Sequence, residues 1–160
     1  MTTVQASIIE WFKTCKPDPK EIDVVVQIGV HFEEVTEMLS ALLTVDSLTP
    51  ATIEQLRSTN EAMLQLANHF KNSATEISLK GMDIDTQELL LDAVIDQAVT
   101  GMGICTFLNQ DYNGALIEVN KSNYSKFDDT GKPVFLANGK MGKSANYVKP
   151  NLKPFLGESK

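Results

Sequence analysis

The stretch HFEEVTEM, residues 31–38, sets Glu33, Glu34 and Glu37 within one helical turn, inside an apolar run extending from position 22 to position 43. Apolar residues recur there three and four apart, the period of an α-helix, and strand-like alternation is scarce. Glu34 and Glu37 stand three apart and Glu33 and Glu37 four, so the three side chains project toward overlapping faces. Carboxylates this close repel one another and resist burial beside a core-forming stripe, so a positive charge is expected among them. Beyond Lys20 the same predicted helix offers no lysine or arginine, only His31. A lone histidine near an apolar face is more often a packed residue than a functional one.

The same periodicity elsewhere makes the chain all-α. Helices are predicted over residues 4–14, 20–44, 50–79, 86–109 and 111–123. Lys16, Pro17, Asp18 and Pro19 interrupt the first two, and Thr49 with Pro50 forms an N-cap followed by proline at the first helical position. Gly101 and Gly103 lower the helix propensity of the fourth, which suggests close approach by a neighbouring helix. From Ser125 onward glycine, proline, asparagine and lysine dominate. Asn138 and Gly139 there suggest a tight turn between PVFLA and KMGK, and hence a small hairpin or ordered loop. Phe127, Val134, Phe135, Tyr147 and Phe155 give this tail side chains that can pack.

The 160 residues, 42% of them hydrophobic, are enough for one domain, expected over 1–160, with a helical body at 1–124 and a basic tail at 125–160 packed on the body or on a neighbouring subunit. The net charge of −7 argues against a general binder of nucleic-acid polymers. It divides unevenly. Residues 1–127 carry 18 acidic and 8 basic residues (net −10), and residues 128–160 carry 3 acidic and 6 basic (net +3). A basic tail on an acidic body screens its charge or closes over a phosphate-bearing ligand held by metal. No apolar run reaches the roughly 20 residues expected of a bilayer span, and the start lacks the pattern of a secretory signal, so a cytoplasmic location is expected. Cys15 and Cys105 lie far apart, outside any metal or redox motif, and read as reduced, packed thiols.

A second acidic pair, Asp92 and Asp96, repeats the four-residue spacing on the fourth predicted helix, again among large apolar residues. Acidic residues at helical spacing are usually a solvated face. Here the shortage of partner cations and the recurrence on two apolar helices set a metal site level with that solvated face as an alternative. Carboxylate oxygens are the ligands that Mg²⁺ and Mn²⁺ prefer, with water and phosphates completing the shell. Zinc ligand sets, nucleophile-histidine signatures and phosphate loops are missing from the sequence. The segment EVNKSNYSKF, residues 118–127, gathers Asn120, Lys121, Asn123 and Lys126 at a helix end, as donors for phosphate or base, or as an ordinary polar C-terminus.

Together these elements resemble the all-α nucleoside triphosphate pyrophosphohydrolases of the MazG-like superfamily. HFEEVTEM looks like their EExxE signature, and DAVID at 92–96 stands where the family has ExxD. EVNKSNYSKFDDTGKPVF followed by GKMGKSANYVKPNL is similar to the tail of the phosphoribosyl-ATP pyrophosphohydrolase-like branch, which includes phage-encoded members. One departure falls at Ala93, which occupies the glutamate position of an ExxD ending at Asp96; Asp92 is then the substitute ligand.

The resemblance implies a MazG-like bundle of four to five helices with a loop or hairpin tail, assembling as a homodimer or homotetramer. The Met- and Leu-rich third helix is the expected interface. It further implies Mg²⁺-dependent hydrolysis of a (deoxy)nucleoside triphosphate, with dGTP or GTP the first to test, to the monophosphate and pyrophosphate. In that reading Glu34, Glu37, Asp92 and Asp96 hold the metal, while Glu33 and Glu34 serve catalysis. Asn120, Lys121, Asn123, Lys126, Lys143 and Tyr147 bind substrate. Hydrolysis of phosphoribosyl-ATP itself is disfavoured. From a different class, the alternative is a noncatalytic helical module that binds a nucleotide or a partner.

Overall fold

A computed structural model of the chain describes residues 3–136 and 141–157. Among these, five α-helices are found: α1 (Val4–Cys15), α2 (Glu21–Leu42), α3 (Pro50–Asn72), α4 (Ile84–Phe107) and α5 (Tyr112–Tyr124). Short 3₁₀ turns occupy Ala74–Glu76 and Lys153–Phe155. The all-α expectation holds, and no strand is present among the described residues.

Sequence dictates most of the helix ends. The Thr3 hydroxyl accepts from the Ala6 N–H (3.2 Å) to open α1, and Thr49 accepts from the Thr52 N–H (3.2 Å) ahead of Pro50 to open α3. Asp111 does the same for α5 through the Gly114 N–H (2.9 Å). The third helix ends at Asn72, short of the predicted 79. The chain turns at Ser73 because it is drawn back to the start of α2, where the Glu21 carboxylate accepts from the Leu79 N–H and from the Ser78 hydroxyl (3.0 Å). These bonds hold the Glu21 carboxyl below the usual range, the Leu79 N–H contributing most.

Two compact units result, Pro19–Asp83 and Met1–Asp18 with Ile84–Lys160. The first is an antiparallel hairpin of α2 and α3, in which Val25 is completely buried and Phe32 meets Phe70 edge-on at 5.6 Å. The two helices approach closely at Gly29. A Cβ placed there would lie 2.8 Å from the Ala67 carbonyl oxygen and 2.9 Å from the Lys71 Cγ, so glycine lets the two backbones come together.

The second unit packs α1 on α5 around Trp11, Cys15 and Phe127, flanked by Tyr124 and Met141. Trp11 stacks on Phe127 (6.2 Å between centroids), and its indole N–H donates to the Asn123 carbonyl (3.0 Å). Burial pushes the Cys15 thiol up to about 11, against the opposing pull of Lys126 and Lys16. The tail is ordered by local bonds. Asp128 accepts the N–H groups of Thr130 (2.8 Å) and Lys132 (3.0 Å) around Gly131, whose φ of 76° suits glycine. Isolated bridges pair Phe127 with Pro133 and Phe135 with Met141. The expected turn at Asn138 and Gly139 lies outside the described residues. Further on, Val148 is tied to α5, its carbonyl accepting from the Ser122 hydroxyl (2.7 Å).

Within this unit α4 touches α5 alone among the helices, and none of its residues is buried. It is long and apolar enough, by length and composition, to cross a bilayer. Sequence inspection for an unbroken apolar run passes over it because Asp92, Asp96, Gly101 and Gly103 interrupt the pattern. Two central aspartates oppose insertion, at a cost of roughly 2.5–3.5 kcal/mol each.

Candidate functional site

The electrostatic demand of the α2 glutamates is met in part by a residue that the sequence reading passed over. Lys71, in the last turn of α3, places its ammonium 2.6 Å from Glu33 Oε1. The two partners differ sharply in environment. The lysine side chain is 4% exposed and the glutamate 40%. The lysine stem runs beside Gly29, and a larger residue at position 29 would displace it. Lys71 is legible only once the hairpin brings the end of α3 against the middle of α2. On α2 itself there is no comparable cation.

Thr36 is buried between the glutamates and donates its hydroxyl to the Glu33 carbonyl (2.7 Å). Glu34 and Glu37 are exposed on the same helix. With Glu33 engaged by Lys71, they form the carboxylate pair that α2 presents to solvent. On α4, Asp92 and Asp96 are exposed as well, and Asp85 and Glu88 share their face at helical spacing. Asp85, Glu88, Leu89 and Asp92 line an open depression of about 430 Å³. The sequence reading missed Asp85 and Glu88, although their spacing of three, then four to Asp92, is the signal that reveals them.

Among the described residues no group of three or more His, Cys, Asp or Glu side chains gathers in a metal-holding arrangement. The hairpin unit holds Glu34 and Glu37, and the other unit holds Asp92 and Asp96. Both pairs offer only carboxylate oxygens, a donor chemistry that fits Mg²⁺ or Mn²⁺ and excludes a soft-metal site.

Most of the expected substrate-binding residues are tied into local structure. Asn120 is buried and donates to the Ser7 hydroxyl (2.9 Å), joining α5 to α1, while its Oδ1 is buried without a protein partner. Asn123 Oδ1 accepts from the Lys126 ammonium (2.7 Å), which also lies over the Trp11 ring at 5.7 Å. Lys143 sits 4.4 Å from the centre of the Tyr147 ring, a cation–π pair. Lys121 is exposed on α5. The structure thus gathers Asn120, Asn123 and Lys126 at the α1–α5 junction, and pairs Lys143 with Tyr147. Comparison with protein-family models, curated proteins and solved structures gave no match to this chain.

Proposed function

We propose that the protein hydrolyses a (deoxy)nucleoside triphosphate to the monophosphate and pyrophosphate with the help of Mg²⁺, as a homodimer or homotetramer. The observation that carries this reading is the repeated presentation of carboxylate pairs by two apolar helices, Glu34 with Glu37 on α2 and Asp92 with Asp96 on α4. The resemblance of HFEEVTEM and of the tail to MazG-like pyrophosphohydrolases supports it and supplies the reaction class.

In this reading Glu34 with Glu37, or Asp92 with Asp96, would hold an ion, which when bound supplies Lewis acidity and neutralises phosphate charge. Glu33 is fixed in orientation by Lys71 and takes a proton from the attacking water, with Glu34 beside it. The water oxygen forms the new P–O bond, the phosphoanhydride P–O bond breaks, and pyrophosphate carries away the bonding pair. Lys121, exposed on α5, offsets phosphate charge, whereas Asn120, Asn123, Lys126, Lys143 and Tyr147 would serve the nucleotide only by exchanging the local contacts that now hold them. The test is pyrophosphate release from a panel of nucleotides, dGTP and GTP included, with Mg²⁺ or Mn²⁺.

The exposed apolar surface of α4 favours a second reading, a noncatalytic module that binds a partner or nucleotide. Nucleotide binding with no pyrophosphate release from any member of the panel would select it.

A further inference from the structure

We infer that residues 148–157 form a releasable strap, and that the face of α5 beneath it is a groove for an extended, proline-bearing peptide segment with an aromatic anchor. The strap runs antiparallel to α5 from one cap of the helix to the other. At the C-terminal cap the Val148 carbonyl accepts from the Ser122 hydroxyl (2.7 Å), and the Val148 N–H donates to the Ser125 hydroxyl (2.9 Å). Midway the Asn151 N–H donates to Glu118 Oε1 (3.2 Å). At the N-terminal cap the Phe155 carbonyl accepts from the Asp111 N–H (2.9 Å). All of these bonds end on the main chain of the strap, so its side chains are not what they read. Grooves that bind extended peptides work this way, main-chain bonds giving affinity and a pocket for a chosen side chain giving specificity. Here the pocket lies at Gly114. A Cβ placed there would lie 2.6 Å from two carbons of the Phe155 ring, so the ring occupies the space that a side chain at position 114 would fill.

Little else fastens the strap. Val148 is 63%, Leu152 41% and Leu156 59% exposed, which leaves Phe155 as its main apolar anchor. A segment with few buried apolar contacts opens locally, without unfolding the rest of the chain. Opening uncovers Ser122, which is buried with the strap in place. It leaves α5 seated, because α1 holds another side of that helix through Asn120, Asn123 and Tyr124. Pro150 and Pro154 restrict the backbone of the strap, so a free segment of this sequence has less conformational freedom to lose when it enters the groove.

The inference goes beyond hydrolysis and uses none of the residues assigned to it. Hydrogen exchange in the full wild-type chain, followed residue by residue by NMR, is expected to show the amides of Asp111, Val148 and Asn151 exchanging together, at least about 100-fold faster than those of Ile117 and Val119 inside α5. Exchange of the three only with global unfolding overturns the inference, and this measurement needs no variant. The groove itself is tested with a fluorescent peptide of residues 148–157, VKPNLKPFLG, titrated with the full chain. Phe155→Ala in the chain weakens the resident strap, so this variant, checked for folding by circular dichroism, should bind the peptide at least about 10-fold more tightly than the wild type does. A peptide carrying Phe155→Ala should lose that binding. Failure of the folded variant to bind the peptide overturns the inference, as does equal binding of the two peptides.

Discussion

Lys71 and Glu33 form an asymmetric pair, and the asymmetry has consequences for stability. Removing the carboxylate leaves an ammonium that is 4% exposed without its counter-charge, whereas removing the ammonium leaves a carboxylate that reaches water. Glu33→Gln is therefore expected to destabilise the hairpin by on the order of 2 kcal/mol, the partial exposure of the pair reducing the effect. Lys71→Met keeps the stem volume beside Gly29 and should change stability by less than about 1 kcal/mol. Urea denaturation of both variants checks the order; equal losses would remove the argument. A second outcome at this scale concerns Cys15. With its thiol pushed up from 9.0 to about 11, Cys15 has about a hundredfold less thiolate near pH 8 than an ordinary cysteine. Slow alkylation by iodoacetamide in the folded protein, accelerating on unfolding, is expected. The burial of Cys15 follows from the apolar face of α1, but the ion pair of Glu33 was not legible because its partner lies on another helix.

At the scale of elements, helix type and number were readable because apolar residues at three and four spacing dominate and because Thr49–Pro50 and Asp111 mark helix starts. The end of α3 was not. Ile77 and Leu79 continue the apolar pattern, and only the Glu21 carboxylate, reached through folding, accounts for the turn away from helix. That carboxylate makes a pH test. Its proton affinity is lowered in the folded state, so its stabilisation is present above the ordinary glutamate value of about 4.3 and is lost as pH falls through the lower folded value. Wild type should exceed Glu21→Gln in urea midpoint at pH 7, and the gap should narrow as the pH is lowered below the ordinary glutamate range. A gap independent of pH would show that the carboxylate's charge is not involved. The tail was readable as ordered from its aromatics, yet its main organiser, Asp128 with the Thr130 and Lys132 amides, depends on a turn geometry that periodicity does not report.

For the molecule as a whole, the acidic pairs were legible and their electrostatic setting was not. A run of glutamates that demands a cation finds one for Glu33 in Lys71. The central claim is that these carboxylates serve phosphoanhydride hydrolysis. Its most direct test is pyrophosphate release from a nucleotide panel by wild type and by Glu34→Gln with Glu37→Gln, in Mg²⁺ and after chelation. The account predicts metal-dependent release by the wild type on at least one nucleotide and a loss of at least about 100-fold in the double variant. No release from any nucleotide by folded wild type, or release that survives both substitutions, would contradict it.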